Sequence, residues 1–334
     1  MSLARPRPAV AAALALGLAA VLAGCGADSD ETAPTSTSTG DYPVTVDNCG
    51  AEVTFDRAPQ RVVLLKSAAV PFLHELGVMD RVTARAGSYP EEYYDDATLA
   101  ELEDVPLLTD ELDSSGHLQI SKEVVIAEEP DLVLGEVDNL ARDTLSAVDI
   151  PLLEEPALCE QGVEHPDFDD VTSQLETYGR VFGREAEAQQ AVTELEARLA
   201  AVEAEVGEPS GRTAAVLYPT VGGGTTYAYG TKSMADAQLR AAGFENAFAD
   251  VDERVFEVTL EELLGRDPDV LVLLHSEGDP ADVEKAIGDL PGADELTAVA
   301  NGDLMPQLFN FTEPPTPLTV EGLERIVERF GAGS

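Results

Sequence analysis

One segment occurs twice in this 334-residue chain, as Glu123-Val-Val-Ile-Ala-Glu-Glu-Pro130-Asp131-Leu-Val-Leu and as Glu261-Glu-Leu-Leu-Gly-Arg-Asp-Pro268-Asp269-Val-Leu-Val. Each copy has a helical apolar pattern before the proline and a buried strand run after it. The Pro-Asp ends the helix, because proline disfavours helical geometry in the residue that precedes it. Two such helix-turn-strand units, one per half, require a duplicated α/β architecture, with Glu123 and Glu261 at equivalent places near a helix start. The connector is common in α/β proteins and a glutamate suits a helix N-terminus by itself, so the repeat alone leaves the role of the two glutamates open.

The rest of the chain fits the same plan. Glu52–Phe55 alternates as an edge hairpin, Arg61–Leu65 is a compact buried strand run, and Ala69–Leu76 reads as a helix stopped by Gly77, with Pro71 tolerated in its first turn. Asp131–Leu134 and Ile150–Leu153 are strands flanking a helix over 139–148. From Asp169 the pattern turns helical, first to Phe182 and then, after Gly183, to Val206. In the second piece Ala188, Val192, Leu195, Leu199, Val202 and Val206 recur at spacings of four and three, which makes one apolar stripe. Fewer than four heptads argue against a coiled coil, and a stiff helix lying across two lobes fits better. Strand Thr213–Tyr218, helices Ser233–Ala242 and Thr259–Leu264, strand Asp269–Leu274 and a last helix Thr319–Phe330 resume the alternation, which implies mostly parallel α/β structure.

At the N-terminus, Arg5 and Arg7 precede an apolar run from Ala9 to Ala23, the arrangement of a secretion signal and too short to span a bilayer comfortably. The run closes in Val21-Leu22-Ala23-Gly24-Cys25, which resembles the bacterial lipobox; the resemblance implies that Cys25 is lipidated and becomes the mature N-terminus. Residues 26–41 are rich in Ser, Thr, Asp and Gly and read as a flexible tether. Setting Cys25 aside leaves Cys49 and Cys159, an even count in a chain expected to fold outside the reducing cytosol, and these are expected to pair, with two unlinked buried thiols as the alternative. Against 64 acidic residues stand 20 Lys and Arg, a formal net charge of -44. Such a surface repels nucleic-acid phosphates, so nucleic acid is not expected as a partner.

The lipobox, Tyr42-Pro-Val-Thr-Val-Asp-Asn-Cys-Gly50, Ala58-Pro-Gln-Arg-Val-Val-Leu-Leu65, both Glu-to-Pro-Asp units, Gly243-Phe-Glu-Asn-Ala-Phe248 and Asn301-Gly-Asp303 together resemble an ABC-importer substrate-binding lipoprotein. The match is to the class whose two lobes are joined by one long helix, serving ferric siderophores, cobalamin and haem. The resemblance implies two Rossmann-like α/β lobes with a ligand cleft between them, and a monomer anchored by lipid on the extracytoplasmic face of the cell membrane. It also implies delivery of an iron chelate to an ABC permease with a cytoplasmic ATPase, with Glu123 and Glu261 docking on permease arginines. Pro71 departs from the pattern, where relatives often carry Glu. The implied layout is a signal peptide over 1–24, a tether over 25–41, an N-terminal lobe over 42–166, linking helices over 167–209 and a C-terminal lobe over 210–334.

Ligands of open α/β sheets bind beyond the carboxyl ends of the strands. That rule nominates Lys66 with Ser67, Arg85, Tyr89, Glu136 and Arg142 in the first half, and Tyr227, Tyr229, Lys232, His275, Gln307, Phe309 and Phe311 in the second. The four cations would complement an anionic chelate, and the aromatics would supply planar apolar surface. Rim packing is the alternative for the loop tyrosines. The histidines, His74, His117, His165 and His275, have no metal-ligand spacing, so no metal site is expected. Gly224-Thr-Thr-Tyr-Ala-Tyr-Gly230-Thr-Lys232-Ser233 looks like a phosphate loop but has one residue too many before its lysine and bulky tyrosines inside. No nucleophile elbow is present, and the expectation is a binding protein with no cofactor of its own rather than an enzyme.

Overall fold

The computed structural model describes residues 41–112 and 117–331. The expected signal peptide, Cys25 and the expected tether up to residue 40 lie outside the described residues. The chain opens with an antiparallel hairpin, β1 (Val44–Asn48) and β2 (Ala51–Phe55). The first lobe follows as β3 (Val62–Leu64), α1 (Val70–Glu75), β4 (Val82–Arg85), α2 (Asp96–Glu103), α3 (Lys122–Ala127), β5 (Leu132–Leu134), α4 (Arg142–Ser146) and β6 (Leu152–Leu153). Its sheet is wholly parallel, in the order β4-β3-β5-β6. Two helices come next, α5 (Phe168–Phe182) and the long α6 (Glu185–Val206).

The second lobe comprises β7 (Thr213–Pro219), β8 (Thr226–Tyr229), α7 (Met234–Ala241), β9 (Glu245–Asn246), β10 (Val255–Val258), α8 (Leu260–Arg266), β11 (Val270–His275), α9 (Pro280–Gly288), α10 (Thr297–Asn301), β12 (Leu304–Leu308) and α11 (Pro317–Phe330). Its sheet runs β10-β8-β7-β11-β12, with β9 also on β7. β7, β11, β12 and β9 are parallel, whereas β8 and β10 are antiparallel additions. The alternation had suggested neither of these two strands nor β12, whose Pro306 interrupts an ordinary strand pattern.

The central strands are short apolar runs because both faces are covered. Val62, Leu64, Val216, Val270 and Val272 face one hydrophobic cluster, which takes in α1, α5, α6, α7 and α11 and so lies under both sheets. Val63 and Val133 face a second cluster confined to the first lobe, and Leu217, Leu271 and Leu273 a third confined to the second. The stripe on α6 meets the shared cluster, with Ala188, Val192, Leu195 and Val202 buried and Leu199 and Val206 partly so. Its approach to α5 depends on Gly179, where a Cβ would come within 2.6 Å of the Ala188 Cβ. Arg198 of α6 clasps Glu324 of α11 through two hydrogen bonds of 2.9 and 2.7 Å.

The repeated Pro-Asp has a structural basis that the sequence did not disclose. Glu129 and Asp267, the residues before each proline, both sit at positive φ, 49° and 42°. The Asp131 carboxylate then accepts from the amides of Gln60 and Arg61, at 2.9 and 2.8 Å, and that of Asp269 accepts from Thr213 N at 2.8 Å. Each aspartate therefore pins the start of the neighbouring central strand, β3 in one lobe and β7 in the other.

Cys49 and Cys159 form a disulfide. It ties the opening hairpin to the segment after β6 across a sequence separation of 110 residues. Closing so long a loop restricts the unfolded chain, so replacing both cysteines by serine should lower unfolding free energy by about 2–5 kcal/mol. Denaturant midpoints of the two proteins at equal slope would measure it.

Candidate functional site

Loops at the carboxyl ends of the two sheets meet in a cavity of about 320 Å³. Ser88, Pro90 and Glu92, which follow β4, form one wall; His275, Ser276 and Glu277, which follow β11, form the other; Met305 to Leu308 and Phe311 lie between them. The volume is at the small end of the range for ligand pockets, on the order of 300–1,000 Å³.

Beneath it the lobes are fastened directly. Asn310 N donates to the Tyr93 hydroxyl at 3.0 Å and Asn310 Nδ2 donates to Ser67 Oγ at 2.9 Å. The Tyr93 and Phe311 rings meet edge to face at 5.3 Å. Residues 310 to 320 are buried without interruption, and they lie close to α11 because Gly322 has no Cβ: one would fall 1.8 Å from the Phe311 carbonyl oxygen. Within this stretch the fully buried Glu313 accepts from Met234 N at 2.7 Å and from both Arg254 nitrogens at 3.0 and 2.8 Å. Burial would lower the Arg254 pKa, but the charge and the hydrogen bonds of Glu313 together outweigh it and leave it raised. Glu313 thus fills the start of α7, the position a phosphate would need in the Gly224–Ser233 look-alike, whose Thr226–Tyr229 is strand β8.

Three comparisons bear on this architecture. A family model described as periplasmic binding protein matches residues 62–305. The chain belongs to that family. A crystal structure of an ABC-type Fe3+-hydroxamate transport system from Saccharomonospora viridis superposes with a TM-score of 0.83 at 58% identity, covering 87% of this chain and all (100%) of the other. A cobalamin-binding protein of Halobacterium salinarum is 27% identical over 299 residues, 86% of this chain and 74% of its own length. A periplasmic haem-binding protein from Pseudomonas aeruginosa shares the fold alone, with a TM-score of 0.67 at 18% identity over 83% of this chain and 94% of its own. These relatives are binding proteins rather than enzymes.

Within this periplasmic binding protein the residues nominated from sequence separate into groups. His275, Gln307 and Phe311 line the cavity. Phe309 is not among the lining residues; it packs edge to face on Tyr218 at 6.2 Å, whose hydroxyl donates to Ser276 Oγ of the cavity wall at 3.0 Å. Tyr227 is exposed on β8, whereas Tyr229 is buried, its phenol pKa raised by burial and by Glu313. Tyr89 packs against the shared core beneath Arg85, whose guanidinium carbon is 5.0 Å from the ring centre; burial raises the Tyr89 phenol and keeps it protonated.

None of the four nominated cations is among the residues lining the cavity. Lys66 Nζ is 2.5 Å from Glu154, Lys232 Nζ is 3.1 Å from Asp252, and Arg85 Nε donates to Val105 O at 3.3 Å. Arg142 donates to Leu152 O at 2.5 Å and to Asn48 Oδ1 at 2.6 Å. The hub of this network is Glu154, which accepts from Lys66, from Glu136 N at 2.8 Å and from Glu155 N at 2.8 Å. Adjacent acids directly after the apolar Leu152-Leu153 run were the signal that would have singled it out.

Glu123 and Glu261 are exposed and occupy matching places. Ser121 and Thr259 cap their helices, each accepting from the backbone amide three residues on.

Glu155 is fully buried, with Oε1 accepting from the Tyr178 hydroxyl at 2.8 Å and Oε2 without a partner. Burial, opposed by the Tyr178 bond and aided by the Glu154 charge, pushes its pKa from 4.5 up to about 8. A carboxyl that keeps its proton when folded and loses it when unfolded is fully stabilised below 4.5, and that stability is lost as pH rises to about 8. Glu155→Gln should therefore flatten the pH dependence of unfolding free energy across this window, removing a slope of at most about 1.4 kcal/mol per pH unit. Urea titrations at several pH values test this.

Proposed function

We propose that this periplasmic binding protein captures a ferric siderophore outside the cytoplasm and delivers it to an ABC permease powered by a cytoplasmic ATPase. The reading is supported foremost by the 58% identity to the Saccharomonospora viridis protein, whose description names Fe3+-hydroxamate transport, over that protein's full length. A cavity between two lobes, lined by Met305, Leu308 and Phe311 together with Ser88, Ser276 and Gln307, suits a chelate with apolar and polar faces. In this reading residues 42–166 and 210–334 act as the two lobes bridged by 167–209, and Cys25 carries the lipid anchor of a monomeric receptor on the outer face of the membrane. Cobalamin is the second reading, favoured by the 27% identity to the Halobacterium salinarum cobalamin-binding protein.

The deciding experiment is a thermal-shift series on the full-length protein with ferric trihydroxamate, cobalamin and hemin. Stabilisation by the trihydroxamate alone is expected. Stabilisation by cobalamin instead would replace the ligand, and no response to any of the three would remove the receptor role.

Docking on the permease would use Glu123 and Glu261 together, one from each lobe, and so depend on the spacing between them. Glu123→Lys or Glu261→Lys should leave chelate affinity unchanged while lowering uptake in cells roughly ten-fold or more, as expected for loss of a paired charge at an interface. Unaltered uptake would exclude the glutamates from docking.

A further inference from the structure

The cavity holds a hydrogen-bond acceptor whose orientation is fixed by the fold. Gln238 Nε2 donates to two carbonyl oxygens, of Phe311 at 2.7 Å and of Thr319 at 2.8 Å, which fixes Gln238 Oε1 as an acceptor. The Thr312 hydroxyl has a single proton and donates it to that oxygen at 2.9 Å. Thr312 Oγ1 can then only accept from Gln307, and Gln307 Nε2 donates to it at 2.8 Å. The chain of bonds therefore leaves Gln307 no choice of amide orientation, and its Oε1, on a side chain 3% exposed that lines the cavity, has no partner.

One residue beyond Leu274, the register partner of Gln307, His275 pairs with Leu308 and, 7% exposed, lines the same cavity. Its Nδ1 faces the Glu277 carbonyl oxygen at 3.2 Å. A carbonyl only accepts, so Nδ1 carries a proton, and in the Nδ1–H tautomer Nε2 presents a lone pair. The exposed carboxylates of Glu92 and Glu277 complete the rim. Arg325 is the one Lys or Arg among the lining residues, and it is turned to Glu321 at 2.6 Å and to the Phe311 ring at 3.9 Å. None of the cations nominated at the strand ends lines the cavity, so Arg325, already paired with Glu321, is the one basic side chain there to meet an anion.

We propose that the cleft selects a metal chelate that offers a hydrogen-bond donor, preferably a positively charged one, to Gln307 Oε1 and His275 Nε2, and discriminates against anionic chelates. This rests on the receptor reading above and names the ligand class within it. It also replaces the expectation that cations at the strand ends would meet an anionic ligand.

Calorimetric titration of the full-length protein tests it with three probes: a ferric trihydroxamate bearing a free terminal ammonium, its N-acetylated neutral counterpart, and an anionic ferric tricatecholate. The ammonium-bearing chelate should bind about ten-fold tighter than the acetylated one, as a charge-assisted hydrogen bond supplies, and the tricatecholate should be weakest. Gln307→Leu should bring the first ratio close to one. Glu277→Gln, at an exposed position that leaves the packing untouched, should reduce the same ratio and lessen its dependence on salt. Equal affinity for the two trihydroxamates, or tightest binding of the tricatecholate, overturns the selectivity while leaving the receptor role standing. Failure of all three to bind overturns both.

Discussion

The structure depends on one apolar core shared by two sheets. Val62 and Leu64 from the first sheet and Val216, Val270 and Val272 from the second bury into the same cluster, with α1, α5, α6, α7 and α11 as its common layer. Two lobes with separate cores and a flexible connection would open and close at little cost. Here a wide hinge motion would expose apolar surface at about 25 cal/mol per Å², and it would also break the Tyr93–Asn310–Ser67 fastening. The cavity is consequently set by the fold, and recognition falls to side chains whose orientations are already fixed, such as the amide of Gln307.

The same economy explains the two Pro-Asp units. In each lobe the proline stops a helix, the preceding residue takes a left-handed turn, and the aspartate reaches across to the start of the adjacent strand. The residue that begins one strand thus registers its neighbour, in the same way in both lobes. Glu123 and Glu261 inherit equivalent positions from this local chemistry.

Much of this was legible in the sequence, because it rests on local signals. Runs such as Val62-Val63-Leu64, the stripe along α6 and the Pro-Asp repeat each write their structure into neighbouring residues. The strands β8 and β10 did not show, since Tyr227 and Val255 are exposed and neither strand makes an unbroken buried run. The site was harder to read for a related reason. Lys66 meets Glu154 and Arg142 meets Asn48 across separations of 88 and 94 residues. Charge content reveals that such cations exist, but only tertiary contact shows that their donors are already engaged. Gln307 was named only for its place after a strand; what distinguishes it is a chain of donors set up by Gln238 and Thr312.

The last helix, α11, packs against α1, α6 and α7, so the first lobe borrows part of its cover from the end of the chain. A polypeptide emerging from its N-terminus cannot complete that lobe until the final residues arrive. Nascent or partly threaded molecules accordingly stay pliable, and the native state is sealed in one late step that a short truncation at the C-terminus would forestall.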